Sequence, residues 1–592
     1  MRRVLTTVFL SAIAVYAVAP DGEALYKEHC AMCHDGAAQV RMPTHEELHA
    51  RTPEAIYQAM FEGAMKTQSA GLSPDDGRAI ARYLTGKEFG ALPAGAGTKC
   101  SATSTALKLG DADWNGWGVD AANTRYQPKP GLSAADVPNL KLKWAFAFPG
   151  DTVRSAQPVI VGGRVFVGSS TGGVYSLDAA TGCTWWKYDA GIMVRTAIAV
   201  GQVGGKTIAW FGDVRSTVHA VDAMTGALLW KVKVEEHPVA RITGSPTFYG
   251  GRVYVPISSI EEAVTGSPKY ECCTFRGSVV ALDGATGKQI WKSYAIPAAP
   301  QPTAKSANGT QLWGPAGASI WSAPTVDVKR HAIYAATGNS YTNPSADTTD
   351  AIVAFDLDSG ALLWKSQVTA NDYYTMACGR PGACTDPGPD HDFGSSPILR
   401  ELPGGKRVLI CGQKSGIVWG LDPDDRGKVL WQTRVGAGGP LGGIEWGPAA
   451  DTEYAYAAVS DLTASDGKLQ GGLHALKLAT GEKVWSTPAP ALHCKAGAPG
   501  CSGAQSAAIS AIPGVVFSGS IDGHFRAFQT KTGEILWDFD CMREFETVNG
   551  VPGKGGSFDS AGPAIANGMV FTNSGYGMWQ GLPGNVLLAF GK

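Results

Sequence analysis

Charge is scarce in this sequence, and what there is cancels. Only 17% of the 592 residues are charged, 50 Lys and Arg against 52 Asp and Glu, where soluble proteins average roughly 25%. Without a basic excess there is nothing to neutralise a phosphate backbone, so nucleic acid is not an expected partner. Long apolar runs are lacking too. Beyond the N-terminal stretch no segment approaches the ~20 apolar residues that cross a bilayer, and no stable membrane span is expected. Glycine is plentiful at 76 residues, which favours a turn-rich β protein over a helical bundle. At this length the chain must hold at least two units or a large all-β ring.

The opening MRRVLTTVFLSAIAVYAVAP carries two arginines, a short apolar run and small residues from Ala17 to Ala19. That order predicts a signal peptide over 1–19, cleaved on export to the periplasm. Twelve cysteines suit an oxidising compartment. Cys30, Cys33 and His34 form a C-x-x-C-H motif, whose thiols bond covalently to haem while the histidine ligates the iron. The other ten are expected in disulfides, with Cys378/Cys384 and Cys494/Cys501 near enough to staple local loops.

DGEALYKEHC reads as a short helix, and SPDDGRAIARYL as a second, with Ser73 as N-cap, Pro74 at the first helical position and Asp76 closing a capping box. Two helices around a haem resemble a class I cytochrome c domain, assigned to 20–88. The resemblance implies a methionine as sixth ligand. Met42, Met60 and Met65 are the candidates, and Met65 is expected because it precedes the last helix, although Lys66 stands where the family often has proline. A Gly, Ala, Ser and Thr-rich stretch after this helix predicts a linker over 89–108.

From there one phrase recurs: LDAATGCTWW, VDAMTGALLW, LDGATGKQIW, FDLDSGALLW, LDPDDRGKVLW, LKLATGEKVW and FQTKTGEILW, each with a glycine four residues before a tryptophan. These tryptophans are Trp186, Trp230, Trp291, Trp364, Trp431, Trp485 and Trp537, and an eighth, Trp144, ends a similar strand without the glycine. Each phrase comes after β-branched and aromatic runs, so the unit is a small antiparallel sheet that buries its faces only in a ring. Trp144's strand is expected to complete the last unit. The spacing resembles the tryptophan-docking repeats of eight-bladed quinoprotein propellers, here 109–592. Lys477 and Gln529 replace the turn aspartate in two blades.

The resemblance to quinoprotein alcohol dehydrogenases implies pyrroloquinoline quinone and Ca²⁺ on the ring axis. Trp321, eighteen residues before Asn339, matches the family's floor tryptophan and metal-binding asparagine. Thr243 and Ser258 fall where two hydroxyls contact the cofactor, and Glu261 where a carboxylate binds the metal, with Glu262 as rival. Thr375 occupies the place of the catalytic base. Asp392, in HDFGSSPIL, aligns better with the family's residues just downstream of that base and is the expected base and metal ligand, with Asp372 and Asp390 as alternatives. Gly394 stands where lanthanide-using relatives carry a second aspartate, which favours Ca²⁺. Lys414 replaces an arginine that stabilises the reduced quinone, and Trp579 matches a tryptophan at the cofactor's rim. The adjacent Cys272 and Cys273 match a vicinal disulfide that stacks on the quinone, though one blade later than in better-known relatives.

An N-terminal cytochrome ahead of the propeller, with ECCTFRGSVVALD and PDHDFGSSPIL, resembles polyvinyl alcohol dehydrogenases. That implies oxidation of secondary alcohols, those along a polymer included, with electrons passing through haem c to an external acceptor such as a cytochrome c or respiratory chain component. A dehydrogenase of small alcohols or polyols, and a non-catalytic propeller scaffold with an electron-relay cytochrome, are the competing expectations.

Overall fold

The computed structural model describes residues 20–35, 45–49, 51–61, 65, 68–69, 71–88, 99–101, 107–267, 269–306, 309–379, 384, 386–462, 471–492 and 498–592. The expected signal peptide, Met42, Lys66, most of the linker stretch, Cys494 and the side chain of Cys33 lie outside them. The chain divides into two compact units, one reaching Leu92 and the other starting at Pro93.

The first unit is helical: Gly22–His29, Ala31–His34, His45–His49, Pro53–Phe61 and Pro74–Thr85. The last begins with the full capping box of Ser73 and Asp76 and ends on Gly86 in the left-handed conformation, φ 63°. Gly22 meets it so closely that an added methyl would lie 2.2 Å from the Ala79 carbonyl oxygen. Tyr26, Ile56, Met60, Ile80 and Leu84 form the core, and Cys30 and Met65 both pack against it. The haem-motif segment and the expected sixth ligand therefore share one core.

The second unit is an eight-bladed propeller. Seven blades are built from consecutive strands, such as Ala199–Val203, Lys206–Gly212, Thr217–Asp222 and Leu228–Lys233. The eighth joins both ends of the ring: Lys141–Ala147 pairs antiparallel with Val586–Gly591, which continues into Met569–Ser574 and Ala564–Ala566. Trp144 thus supplies the missing edge, as its position predicts.

The repeated phrase is the joint between blades. Trp186 donates from Nε1 to the Ala223 carbonyl of the next blade at 3.0 Å, and its indole lies flat against the glycine of that blade's turn. A methyl added at Gly226 would come within 2.8 Å of the ring, on a backbone with φ +75°, so only glycine serves. Trp144, Trp230, Trp291, Trp431 and Trp485 donate forward in the same way. The turn aspartate holds the phrase in shape by accepting from the threonine three residues on, as Asp178 does from Thr181. At the two departures other bonds stand in, Gln529 accepting from Thr532 and Lys477 pairing with Glu482. Cys100, within the expected linker, is bonded to Cys183, and Cys378 to Cys384.

Candidate active site

The segments leading into the first strand of successive blades converge on one cavity of about 630 Å³. Arg195 lies four residues ahead of Ala199, Thr243 four ahead of Thr247, Trp321 four ahead of Thr325 and Trp446 three ahead of Ala449, and all four line it. A propeller's inner strands face its axis, so this register delivers groups from four blades to a common space.

Trp321 gives the cavity a flat wall. Gly394 lies against it: an added methyl would fall 2.1 Å from the indole. Trp446 braces it edge-on, with centroids 5.0 Å apart and planes at 82°. The Lys414 ammonium stands 5.5 Å from the Trp321 ring centroid, and the Arg195 guanidinium 4.9 Å from that of Trp446. On another wall the Thr243 and Ser258 hydroxyls are 2.6 Å apart.

Around the ammonium gather the carboxylates. Asp392 accepts from Lys414 Nζ on Oδ2 at 3.0 Å and from the Asn339 backbone N–H on Oδ1 at 2.6 Å. Asn339 donates its side-chain NH₂ to the Ser340 and Tyr374 carbonyls, which orients the amide. Asp390 sits 3.3 Å from the same ammonium. Asp372 does not line the cavity. It is fully buried behind, accepting from the backbone N–H groups of Asp390 and His391, and so fixes the loop that carries the other two. Thr375, also buried, contacts Cys378.

Acidic groups outnumber basic ones in this space. Burial pushes Glu262 up to about 7, Asp392 adding to the rise and Lys414 opposing it. Burial likewise holds Asp390 and Glu445 well above the ordinary carboxylate range. Desolvation works against the Lys414 charge, yet Asp390, Asp392, Glu262 and Glu445 outweigh it and keep the ammonium well above its usual value. Opposite, Asp559 accepts from Trp446 Nε1 at 2.8 Å and is pushed by burial up to about 7.

The family described as "Glucose/ethanol/alcohol dehydrogenase, beta-propeller domain" matches residues 114–434, "Cytochrome C oxidase, cbb3-type, subunit III" matches 17–84, and "Outer membrane protein assembly factor BamB" matches 414–544 and 469–582. Among solved structures, the quinohaemoprotein alcohol dehydrogenase of Comamonas testosteroni shares the fold with a TM-score of 0.61 at 20% identity, covering 81% of this chain and 80% of that one. The Polyvinylalcohol dehydrogenase of a Pseudomonas species is 43% identical over 98% of this chain and 95% of its own, and that of Sphingopyxis sp. strain 113P3 is 42% identical over 98% and 94%. The chain belongs to the polyvinylalcohol dehydrogenases. It is a quinoprotein alcohol dehydrogenase whose cofactors are pyrroloquinoline quinone and haem c.

The residues of this polyvinylalcohol dehydrogenase suit a flat, polyanionic quinone: an indole wall, two cations and two hydroxyls line one cavity. Asp390 and Asp392 lie against the Lys414 ammonium and Glu262 lines the same cavity, so hard oxygen donors are present, but among the described residues no three of the acidic, histidine or cysteine side chains are grouped so as to hold a metal ion.

Two expectations need correction. Glu261 does not face the cavity. Its carboxylate is fully buried and accepts from the Thr274 and Phe275 backbone N–H groups and the Tyr270 hydroxyl, while Glu262 is the one that lines the site. In a short helix neighbours point apart, so only one of the pair could reach inward. Cys272 and Cys273 are bonded to each other but do not line the cavity; they pack in the blade core with Phe275 and Tyr341, and Tyr341 is the member of that cluster that reaches the site. Trp579, expected at the cofactor's rim, lines the cavity and is half exposed.

Sequence reasoning missed Arg195, Glu445, Trp446 and Asp559. A signal was present: Arg195 and Glu445 lie four residues ahead of their blade's first strand, as Trp321 does, and Trp446 and Asp559 three and five ahead.

Proposed function

We propose that this dehydrogenase oxidises secondary alcohols of the polyvinyl alcohol type in the periplasm. In this reading a signal peptide spans 1–19, the cytochrome domain 20–88, a linker 89–108 and the propeller 109–592. Bound in the cavity, pyrroloquinoline quinone supplies a hydride-accepting group beside Trp321. Trp321 would offer the quinone a flat stacking surface, Thr243 and Ser258 would offer it hydroxyl contacts, and Lys414 would stabilise the negative charge its oxygens gain on reduction.

Glu262, the Asn339 side-chain carbonyl and Asp392 are the hard oxygen donors that would hold Ca²⁺, which would supply Lewis-acid polarisation there. Asp392 takes the proton of the alcohol O–H as the carbinol carbon gives up hydride, and Asn339 and Lys414 keep its carboxylate oriented by the bonds they donate. Asp390 serves as the second counter-ion of Lys414, and Asp372 positions the loop. Cys30, Cys33 and His34 would hold haem c, with Met65 as the further iron ligand, and the haem would supply one-electron transfer toward an external cytochrome or respiratory acceptor. No described helix is long and apolar enough to cross a membrane.

The observation that carries this reading is the juxtaposition of the Trp321 wall, the Lys414 ammonium and the Asp392 carboxylate in one cavity. The test is the visible spectrum of the oxidised protein, reconstituted with the quinone and Ca²⁺, after addition of polyvinyl alcohol or pentane-2,4-diol. Quinone-dependent haem reduction supports it; a haem that stays oxidised with every alcohol, in protein that retains no quinone, returns the propeller to a scaffold role.

A further inference from the structure

The cavity changes character from its floor to its mouth. Inside stand the charges; at the opening stand Met376 and Trp579, 46% and 50% exposed, with Met578 beside them at 45%. Most other exposed large hydrophobic side chains of the described propeller belong to the fourth strands of blades, as Leu228, Leu362 and Val429 do. The three at the mouth are therefore a separate group, placed where the site meets solvent, and such a group marks a binding surface.

Both loops hold these side chains in place. Met376 begins a short turn, Met376–Gly379, tied by the Cys378–Cys384 disulfide and by the Ala377 N–H donating to Thr265 Oγ1 at 3.1 Å. Trp579 and Gln580 are two successive non-glycine residues with left-handed backbones, φ 45° and 67°. The Gly581 N–H bonds to the Met578 carbonyl at 2.8 Å and the Gly500 N–H to that of Gln580 at 2.7 Å, which hold the turn. An unfavourable backbone kept by surrounding bonds, presenting an indole to water, is the local strain that binding sites accumulate.

We propose that Met376 and Trp579 are specificity-determining residues that grip the extended chain of a polymeric alcohol beyond the carbinol being oxidised. This rests on the function proposed above. A flat indole and a pliable thioether match a methylene backbone whose hydroxyls stay in water. A small alcohol that fits beside Lys414 and Asp392 has no atoms left to reach the mouth, so the two classes of substrate should feel the rim differently.

The test uses the full-length holoprotein loaded with quinone and Ca²⁺. Initial rates of haem reduction are measured for Met376→Ala, Trp579→Ala and Trp579→Phe with polyvinyl alcohol and with pentane-2,4-diol, alongside quinone content. For Trp579→Ala the polymer KM should rise on the order of 10-fold, the loss expected from removing a large buried contact. Diol kcat/KM should fall less than about threefold, with quinone retained, and Trp579→Phe should recover most of the polymer KM. Equal losses on both substrates, or loss of quinone, overturn the proposal and assign Trp579 to the cofactor wall. Unchanged kinetics on both overturn it as well. A wild-type holoprotein that retains quinone yet oxidises neither substrate overturns the underlying function, an outcome distinct from an active enzyme indifferent to its rim.

Discussion

The backbone N–H of Asn339 donates to Asp392 Oδ1 at 2.6 Å, across 53 residues of sequence. Two loops from neighbouring blades are thereby locked to one carboxylate, whose other oxygen accepts from Lys414. Asp392→Asn keeps an acceptor for Asn339 but removes the base, so kcat should fall by about 10²–10⁴ with quinone still bound. Asp390→Asn, one carboxylate away, should cost much less. Steady-state haem reduction of the two variants separates them, and equal losses would remove Asp392 from its role.

Glu261 and Glu262 adjoin in sequence and differ in work. Glu261→Gln gives up a charged acceptor shared by two N–H groups and a hydroxyl, a loss of about 3 kcal/mol in stability, while the Ca²⁺ requirement stays near wild type. Glu262→Gln should do the reverse, raising the Ca²⁺ needed for half-maximal activity by roughly 10-fold or more. Thermal melts and Ca²⁺ titrations of both variants decide which glutamate serves the metal.

Gly394 has no room for a side chain beside Trp321. Gly394→Asp should displace the indole and abolish quinone retention even at high lanthanide concentration, readable from the absorbance of the dialysed protein. Retention of quinone would show that the wall moves without cost. At the framework, Gly226→Ala puts a methyl on the Trp186 indole and forces a left-handed backbone; about 2 kcal/mol or more should be lost, seen as a lower melting temperature with kcat little changed.

Asp559, pushed up to about 7 by burial, keeps a proton in the folded protein that the unfolded chain loses near pH 3.9. Its contribution to stability is full below that lower value and disappears as pH rises through about 7. Protein without quinone or metal should therefore melt at a lower temperature at about pH 8 than at about pH 5, and Asp559→Asn should flatten the decline. An undiminished slope in that variant would locate the effect in other buried acids.

The framework was legible because its signals repeat. A glycine and a tryptophan four residues apart are forced together by a joint made the same way in blade after blade, so counting the phrase counted the blades. The Ser73 box and the Trp144 edge were equally local or periodic. Of the residues the resemblance pointed to, Trp321, Asp392 and Lys414 come together on one cavity, and Asn339 is bonded to Asp392 behind it. The resemblance failed where two neighbours carried the same chemistry, since only the helix turn decides whether Glu261 or Glu262 faces inward. Cys272 and Cys273 misled because a bonded pair declares its bond and says nothing about which surface it meets. Arg195, Trp446 and Asp559 were overlooked as single residues, since their distance ahead of each first strand varies between three and five residues where the tryptophan spacing does not vary.

The eighth blade closes only when Lys141–Ala147 meets Val586–Gly591, segments separated by roughly 440 residues of chain. Every other blade pairs neighbours. Contacts of such sequence separation form late, because loop-closure entropy must be met before they stabilise anything. Until then the first of these strands waits with an open edge, the kind of surface that seeds intermolecular pairing. Folding speed and yield should accordingly be governed by this single long-range encounter and its Trp144 seam, however stable the seven local sheets are by themselves.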